Sequence, residues 1–250
     1  MSVWLAVPAK RPLAESTLPM WREPGYRVAV FLDEDPKADW PVDYFVVGRR
    51  GYPGYAQAVN ILVDRILMHD PECQWIVTGG DDILPDPTHS PEEIAAQCVN
   101  HFEGMHQAGM LAGKPFPTHL REQEVGTWGV MQPTGDSWGD RTGPYIERVC
   151  GSPWLGREFC LRINQGHGPL WPQYFHMGSD EELQAVSTRL GVLWQRPDLT
   201  HYHRHWGRAR KNADDMPDFL KRANSGAEWA AYKKLFAERQ AAGFPGSEPL

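Results

Sequence analysis

The residues best suited to chemistry follow a short apolar run at residues 75–78. The run ends on Gly79 and Gly80, and two adjacent carboxylates, Asp81 and Asp82, come next. Glycine lets a ligand approach the backbone, and paired carboxylates can hold a hard divalent cation that keeps most of its water ligands. A cation at this point would neutralise a phosphate. The alternative is a plain acidic turn, because Asp-Asp is common turn chemistry.

Three histidines alternate in a later segment that is predicted to be a strand over 199–205. His201, His203 and His205 would share one strand face, since successive side chains point to opposite sides. A histidine near Asp82 would complete a mixed oxygen and nitrogen site, which suits Mn²⁺ better than Mg²⁺. Which of the three histidines would bind the metal is left open, and a purely structural role is the alternative.

Asp180 and Glu181 fall in the first turn of a helix predicted to open at Ser179. The helix dipole favours carboxylates at that end, which by itself explains both residues. The same dipole keeps a carboxylate ionised, as a general base must be to deprotonate a hydroxyl. Just upstream, the loop 151–158 carries Trp154 and Arg157 and could either wall a sugar pocket or be a tight connection.

The elements that must position these groups alternate between strands and helices in the first half of the chain. Strands are predicted over 3–7, 26–32, 44–47, 75–78 and 109–113, and helices over 55–68 and from 91 to about 107. Gly, Pro and Trp dominate 115–178, where a long loop region is expected. The pattern predicts a single α/β domain over 1–250 with a mostly parallel central sheet flanked by helices.

Composition limits the possible partners. The chain of 250 residues carries a formal charge of −7, so any contact with a polyanion needs a local basic patch. Four cysteines without a C-x-x-C pair are expected to be buried free thiols. The apolar runs are too short to cross a bilayer, and no basic region precedes the first one. We therefore expect a cytoplasmic protein without membrane contact, and nothing in the sequence implies an obligate protein partner.

The ends of parallel strands meet at one sheet edge, where ligands of open α/β sheets bind. The first predicted strand is followed by Pro8, Ala9, Lys10 and Arg11, and the second by Asp33. These groups would offer a cation to a diphosphate and a carboxylate to a base or ribose. Lys10 and Arg11 could equally be ordinary surface charges.

In their order, these features resemble those of GT-A-fold nucleotide-sugar glycosyltransferases over roughly residues 3–206. The resemblance implies a GT-A-like (Rossmann-like) fold, Mn²⁺ or Mg²⁺ as the cofactor, and a nucleotide-sugar donor such as UDP-glucose. Residues 1–113 would bind the donor, 114–212 would form the acceptor and catalytic half, and 213–250 would form a C-terminal helix and tail.

The resemblance also assigns roles to individual residues. Residues 80–82 would match the D-x-D motif, although Gly80 stands at its first position. Asp82 would bind the metal with His203 or His205, and Asp180 with Glu181 would supply the base for an inverting displacement. If no carboxylate reaches the acceptor, a retaining mechanism is expected instead. The implied donor contacts are Pro8, Ala9, Lys10, Arg11, Asp33, Asp81 and Trp154.

The expected acceptor is the hydroxymethyl group of modified pyrimidines in DNA, such as 5-hydroxymethylcytosine, because the chain resembles phage-type enzymes of this kind. Arg157, Arg204, Trp206 and Arg208 would contact that acceptor. The alternatives are a GT-A transferase acting on a glycan, a protein or a small molecule, and a non-catalytic metal- or nucleic-acid-binding module.

Overall fold

The fold is built from short strands and helices that alternate along the chain. A computed structural model describes residues 2–9, 11–32, 40–48, 51–136, 149–205 and 218–250, without the side chains of 11–13 and 218–220. The strands are β1 Ser2–Pro8, β2 Arg27–Leu32, β3 Tyr44–Val47, β4 Cys73–Thr78, β5 Ile83–Leu84, β6 Val130–Pro133, β7 Trp154–Gly156, β8 Leu193–Arg196 and β9 Tyr202–His203. The α-helices are α1 Arg11–Arg22, α2 Tyr55–His69, α3 Pro91–Gln107, α4 Arg157–Arg162, α5 Ser179–Leu190, α6 Asp218–Ala223 and α7 Gly226–Ala241.

Seven of the described strands form one sheet in the order β3-β2-β1-β4-β7-β6-β8. Among these seven, β7 alone runs against the others, since it is antiparallel to both β4 and β6. The prediction of a mostly parallel α/β sheet flanked by helices is confirmed, and the arrangement is consistent with a GT-A-like fold. The chain builds outward from β1 to β3 and then returns to place β4 on the other side of β1. Ligands of open α/β sheets bind at such a reversal of strand order.

The central strands are apolar along their whole length because both of their faces are covered. Leu5, Val28 and Ile76 are all buried in one continuous core cluster. Helix α2 buries a stripe at helical spacing that includes Val59, Leu62 and Ile66, as its sequence pattern predicts. The sheet therefore gives its strand ends a rigid base.

Two of the predicted strands differ from the structure. Residues 109–113 form turns instead of a strand, since Gly109 and Gly113 have positive φ angles of 70° and 75°. Positive φ is incompatible with an extended strand. Of the late strand predicted over 199–205, β9 keeps two residues, Tyr202 and His203.

Helix starts and cysteines were also predicted. The S-x-x-E pattern of residues 90–93 predicts a capping box, and Ser90 and Glu93 form it at the start of α3. The same pattern at residues 179–182 predicts a second capping box, which is wrong, because α5 begins directly after Gly178 and has no side-chain cap. All four cysteines lie in the described ranges, and all are free and buried, as predicted. Within those ranges no helix combines the length and the apolar character that a membrane crossing requires.

Replacing Ile76 by Ala should lower the free energy of unfolding by about 2–5 kcal/mol, because it leaves a cavity in the centre of the sheet. Met68→Ala is the matched control: Met68 is 70% exposed, and we expect a change within about 0.5 kcal/mol. Urea unfolding of both variants measures the difference. Equal midpoints for Ile76→Ala and Met68→Ala would contradict the placement of β4 in the core.

Candidate active site

The chain leaves the sheet after β4 through a turn that has no room for side chains. Gly79 has a φ of 153°, and a Cβ atom there would lie 2.7 Å from Cδ1 of Ile83. A Cβ atom on Gly80 would collide with Oδ1 of Asp82. A side chain at position 80 would therefore require the Asp82 carboxylate to move from its present place above the turn.

Asp82 pairs with His203 across this turn. Its Oδ1 lies 3.1 Å from Nε2 of His203, and the pairing of β5 with β9 places Ile83 opposite His203. The ring of His205 lies 5.1 Å from that of His203. Burial raises the pKa of Asp82, but the hydrogen bond from His203 and the charges of His203 and His205 outweigh burial and lower it overall. Asp82 is therefore ionised at neutral pH.

Asp82 and His203 provide an oxygen and a nitrogen ligand of the kinds that a cation such as Mn²⁺ accepts. Their 3.1 Å separation is that of a hydrogen bond from His203 to Asp82, so a cation bound to both atoms would replace the proton on Nε2. In the part of the chain that the structure describes, no three His, Cys, Asp or Glu side chains form a group that could hold a metal. A cation here would take its remaining ligands from water and substrate phosphates, as Mg²⁺ commonly does.

His201 belongs to the core, so the expectation that all three histidines share one ligand-binding face is wrong. Its Nδ1 lies 2.7 Å from Oγ of Ser152, and its Nε2 accepts a hydrogen bond of 3.4 Å from Nε1 of Trp154. Burial lowers the pKa of His201 to about 3. The ring is therefore neutral and has partners on both nitrogens.

Asp180 is partly exposed in the first turn of α5. Its backbone oxygen accepts a hydrogen bond of 3.3 Å from the amide of Cys150, and the next residue, Gly151, faces Gly79 through its carbonyl oxygen. This connection brings α5 to the turn that carries Asp82. Burial raises the pKa of Asp180 to about 6, and the charge of Glu181 adds to the rise. A carboxylate with a pKa close to working pH suits a general base.

Tyr55, which the sequence interpretation missed, connects Asp180 to the end of β4. Its hydroxyl lies 3.3 Å from Oγ1 of Thr78, and Thr78 donates to the carbonyl oxygen of Ala6 at 2.8 Å. Burial raises the pKa of Tyr55, the hydrogen bond with Thr78 lowers it, and the charge of Asp180 raises it further, so the phenol is neutral. Its position as the first residue of α2 could have identified Tyr55 from the sequence, since helices that follow parallel strands begin at this edge of the sheet.

Several predicted residues lie at this edge of the sheet. Pro8 ends β1, and the amide of Ala9 donates to the carbonyl oxygen of Phe31 at 3.1 Å. The backbone oxygen of Asp81 accepts a hydrogen bond of 2.6 Å from Thr17. Arg204 is exposed, and its amide donates to the carbonyl oxygen of Asp82 at 2.8 Å. Lys10, Asp33, Trp206, Arg208 and the side chain of Arg11 lie outside the described residues.

Two of the predicted contacts are wrong. Trp154 is completely buried in the middle of the sheet, opposite Val77, so its ring offers no stacking face to a sugar. Arg157 donates to the carbonyl oxygen of Cys73 at 3.2 Å, which lies at the start of β4. The six residues of β4 span about 20 Å, so Arg157 lies at the opposite edge from Asp82. The error at Arg157 follows from the antiparallel direction of β7, which carries the chain away from the site, and the error at Trp154 follows from the burial of its ring.

Comparisons with known proteins find structural likenesses, and the one described below is distant. No protein-family model matches the chain, and no curated protein does. The fold is similar to the crystal structure of a glycosyltransferase involved in the glycosylation of the major capsid of PBCV-1, with 8% identity and a TM-score of 0.33. The match covers 64% of this chain and 62% of that one, so this chain spans about three fifths of that protein's length. A likeness this distant does not assign a function.

Asp180→Asn should raise the free energy of unfolding at pH 8 by about 1–2 kcal/mol. The ionised carboxylate of Asp180 is less favourable in the folded protein than in the unfolded chain, and asparagine carries no charge. The pKa of Asp180 is higher in the folded protein than in the unfolded chain. Ionisation of Asp180 therefore lowers the free energy of unfolding of the wild type as the pH rises from about 4 to 6, and the full loss is present above that. Urea unfolding at pH 4 and pH 8 measures the gain, which should be absent at pH 4.

Asp64→Asn is the control, since Asp64 is an exposed carboxylate on α2. We expect the same stability as the wild type at both pH values. A stability gain for Asp180→Asn that is equal at pH 4 and pH 8 would contradict the raised pKa.

Proposed function

We propose that this protein is a metal-dependent glycosyltransferase that moves a sugar from a nucleotide-sugar donor, UDP-glucose or a similar compound, to a hydroxyl group. The observation that supports the proposal is that the turn after β4 carries the Asp82–His203 pair and adjoins the 150–151 segment, whose Cys150 amide is hydrogen-bonded to the backbone oxygen of Asp180. That turn lies where the strand order reverses between β1 and β4. A cation seat and a general base on either side of a ligand crevice suit transfer from a diphosphate to a hydroxyl.

On the donor side, Asp82 and His203 would hold Mn²⁺ or Mg²⁺, with His205 as a neighbouring ligand. The ion would stabilise the departing diphosphate when bound. Asp81 would face the ribose or the donor sugar, and Pro8 with Ala9 would border the nucleobase. Lys10, Arg11 and Asp33, which follow β1 and β2 in the sequence, would also border the nucleobase and ribose.

On the acceptor side, Asp180 would take the proton of the acceptor hydroxyl. That oxygen would attack the anomeric carbon while the bond to the diphosphate breaks, and the anomeric configuration would invert. The raised pKa of Asp180 makes its carboxylate a stronger base than an exposed aspartate, and it is still ionised above about pH 6. Glu181 supports this role, because its charge contributes to the raised pKa.

As the acceptor we propose the hydroxymethyl group of 5-hydroxymethylcytosine in double-stranded DNA. The exposed Arg204 beside Asp82 supports a phosphate contact close to the site. Trp206 and Arg208 follow directly in the sequence and would extend that contact. Arg157 no longer contributes, because it lies at the far edge of the sheet.

The donor half of the proposal predicts a metal-dependent thermal shift. UDP-glucose with Mn²⁺ should raise the Tm, and a concentration of 100 Kd corresponds to about 2.7 kcal/mol of stabilisation. Neither compound alone should give the full shift, and Asp82→Asn should abolish it, because the variant loses the carboxylate charge. Asp64→Asn should shift like the wild type. A metal-independent shift that Asp82→Asn retains would contradict the metal seat and favour a non-catalytic binding module.

The acceptor half predicts transfer of label from radioactive UDP-glucose to DNA that contains 5-hydroxymethylcytosine, and none to matched DNA with unmodified cytosine. Asp180→Asn should lower kcat by about 10²–10⁴-fold, the usual contribution of a general base, while the donor-induced Tm shift remains. Arg204→Gln should raise the apparent KM for DNA with little change in kcat. Label that enters a glycan but not the DNA would overturn the choice of acceptor and leave the transferase class intact.

A further inference from the structure

We infer that helix α7 positions Asp180 through a buried ion pair between Arg239 and Glu182. The inference rests on the proposed role of Asp180 as the base. Arg239 would be a positioning residue, because its contacts are with Glu182, Trp171 and Pro245 and not with the groups that surround the turn after β4. Asp180 and Glu182 stand two residues apart in the first turn of α5.

The ion pair has the geometry of a two-pronged clamp. Nε of Arg239 donates to Oε2 of Glu182 at 2.7 Å, and Nη2 donates to Oε1 at 2.6 Å. Both side chains are almost completely buried, with 8% and 3% exposure. Two parallel hydrogen bonds fix the orientation of the carboxylate as well as its distance. The carboxylate of Glu182 is thus occupied by Arg239.

The same carboxylate closes the loop that precedes α5. Oε2 of Glu182 accepts a hydrogen bond of 2.8 Å from the hydroxyl of Tyr174, and the guanidinium of Arg239 lies 3.5 Å from the ring centroid of Trp171. Residues 174 and 182 therefore meet at one point, with the loop and Asp180 between them. His176, in the middle of this loop, lies 6.3 Å from the ring of Tyr55.

The link from the clamp to Asp180 is short and rigid. The amide of Glu182 donates to the carbonyl oxygen of Gly178 at 3.0 Å, so one helical hydrogen bond encloses Asp180. The ring of Tyr232 on α7 packs against Gly178, where a Cβ atom would lie 2.7 Å from Cδ2 of Tyr232. A shift of the Glu182 carboxylate would therefore turn the first turn of α5 and move Asp180 relative to Tyr55 and Gly151.

The energetics of buried ion pairs favour a positioning role over a purely stabilising one. Removing two charges from water is costly, and well-packed apolar residues often give equal or greater stability in the same place. Stability alone therefore does not call for charges here. What the charged pair adds is a fixed direction for the carboxylate, and that direction is what the placement of Asp180 requires.

The pH dependence of Asp180 provides a readout of its position. Charged and titratable groups face it from three elements: Glu181 from α5 itself, Tyr55 from α2, and Cys150 from the segment before β7. Its raised pKa depends on these groups and the surrounding backbone limiting its contact with water. If the first turn of α5 loosens, water reaches the carboxylate and the pKa should fall towards its ordinary value.

The test compares Arg239→Lys with Arg189→Lys. Lysine cannot reproduce the two-pronged contact with Glu182. Arg189 is the matched control, because it joins the last turn of α5, away from Asp180, to the C-terminal tail through Oγ of Ser247 at 2.7 Å and the carbonyl oxygen of Gly243. In Arg239→Lys, kcat should fall about 10–100-fold, the donor KM should not change, and the acid limb of the pH profile should move below pH 6. Arg189→Lys should keep the wild-type limb.

A carbon-13 NMR titration of Asp180, assigned with Asp180→Asn, follows the same carboxylate without turnover. If the titration midpoint of Asp180 falls in Arg239→Lys but not in Arg189→Lys, the clamp is supported. This holds even if the wild type transfers no sugar, because the absence of transfer would overturn only the proposed function. Equal midpoints in both variants and the wild type would overturn the clamp. If Arg239→Lys does not fold, Glu182→Gln replaces it in the titration, because glutamine keeps the shape of the side chain and the contact with Tyr174. A lowered midpoint would again support the clamp, and an unchanged midpoint would overturn it.

Discussion

The site depends on the way the chain leaves β4. The turn at Gly79 and Gly80 has no space for side chains, because Ile83 and the Asp82 carboxylate fill it. The chain then pairs at once with β9, which brings His203 within 3.1 Å of Asp82. Since β4 borders β1 at the reversal of strand order, this tight turn also lies where the sheet opens to a ligand. The glycine turn and the pairing of β5 with β9 therefore together place the Asp82–His203 pair at this opening.

Two carboxylates near this turn have opposite electrostatic environments. The histidines lower the pKa of Asp82, whereas burial and Glu181 raise that of Asp180 to about 6. Groups whose pKa values are driven apart in one site usually carry different roles. Here the lower pKa suits a ligand that stays charged, and the higher pKa suits a group that exchanges a proton. The helix dipole, which by itself predicts a readily ionised Asp180, is outweighed by burial.

Local sequence patterns predicted many of the strands and helices. Features that depend on contacts between residues far apart in the sequence could not be predicted in this way. The apolar runs of β1, β2 and β4 and the helical repeat of α2 depend on neighbouring residues, so they were visible in the sequence. The strand ends, with Pro8, Ala9, Asp81 and Asp82, followed from parallel order. The error at Arg157 came from the direction of β7, since no local pattern shows that a single strand is reversed, and the error at Trp154 came from its burial by residues distant in the sequence. The pairing of Glu182 with Arg239 joins residues 57 positions apart, which no local pattern marks.

The most direct test of the central claim is a crystal structure of the protein with Mn²⁺ and UDP. The account predicts that the ion binds to a carboxylate oxygen of Asp82 and to Nε2 of His203, that diphosphate oxygens complete its coordination, and that Asp180 faces the crevice beside it. An Asp82 carboxylate that makes no contact with the ion, with the ion and nucleotide bound elsewhere or not at all, would contradict the account.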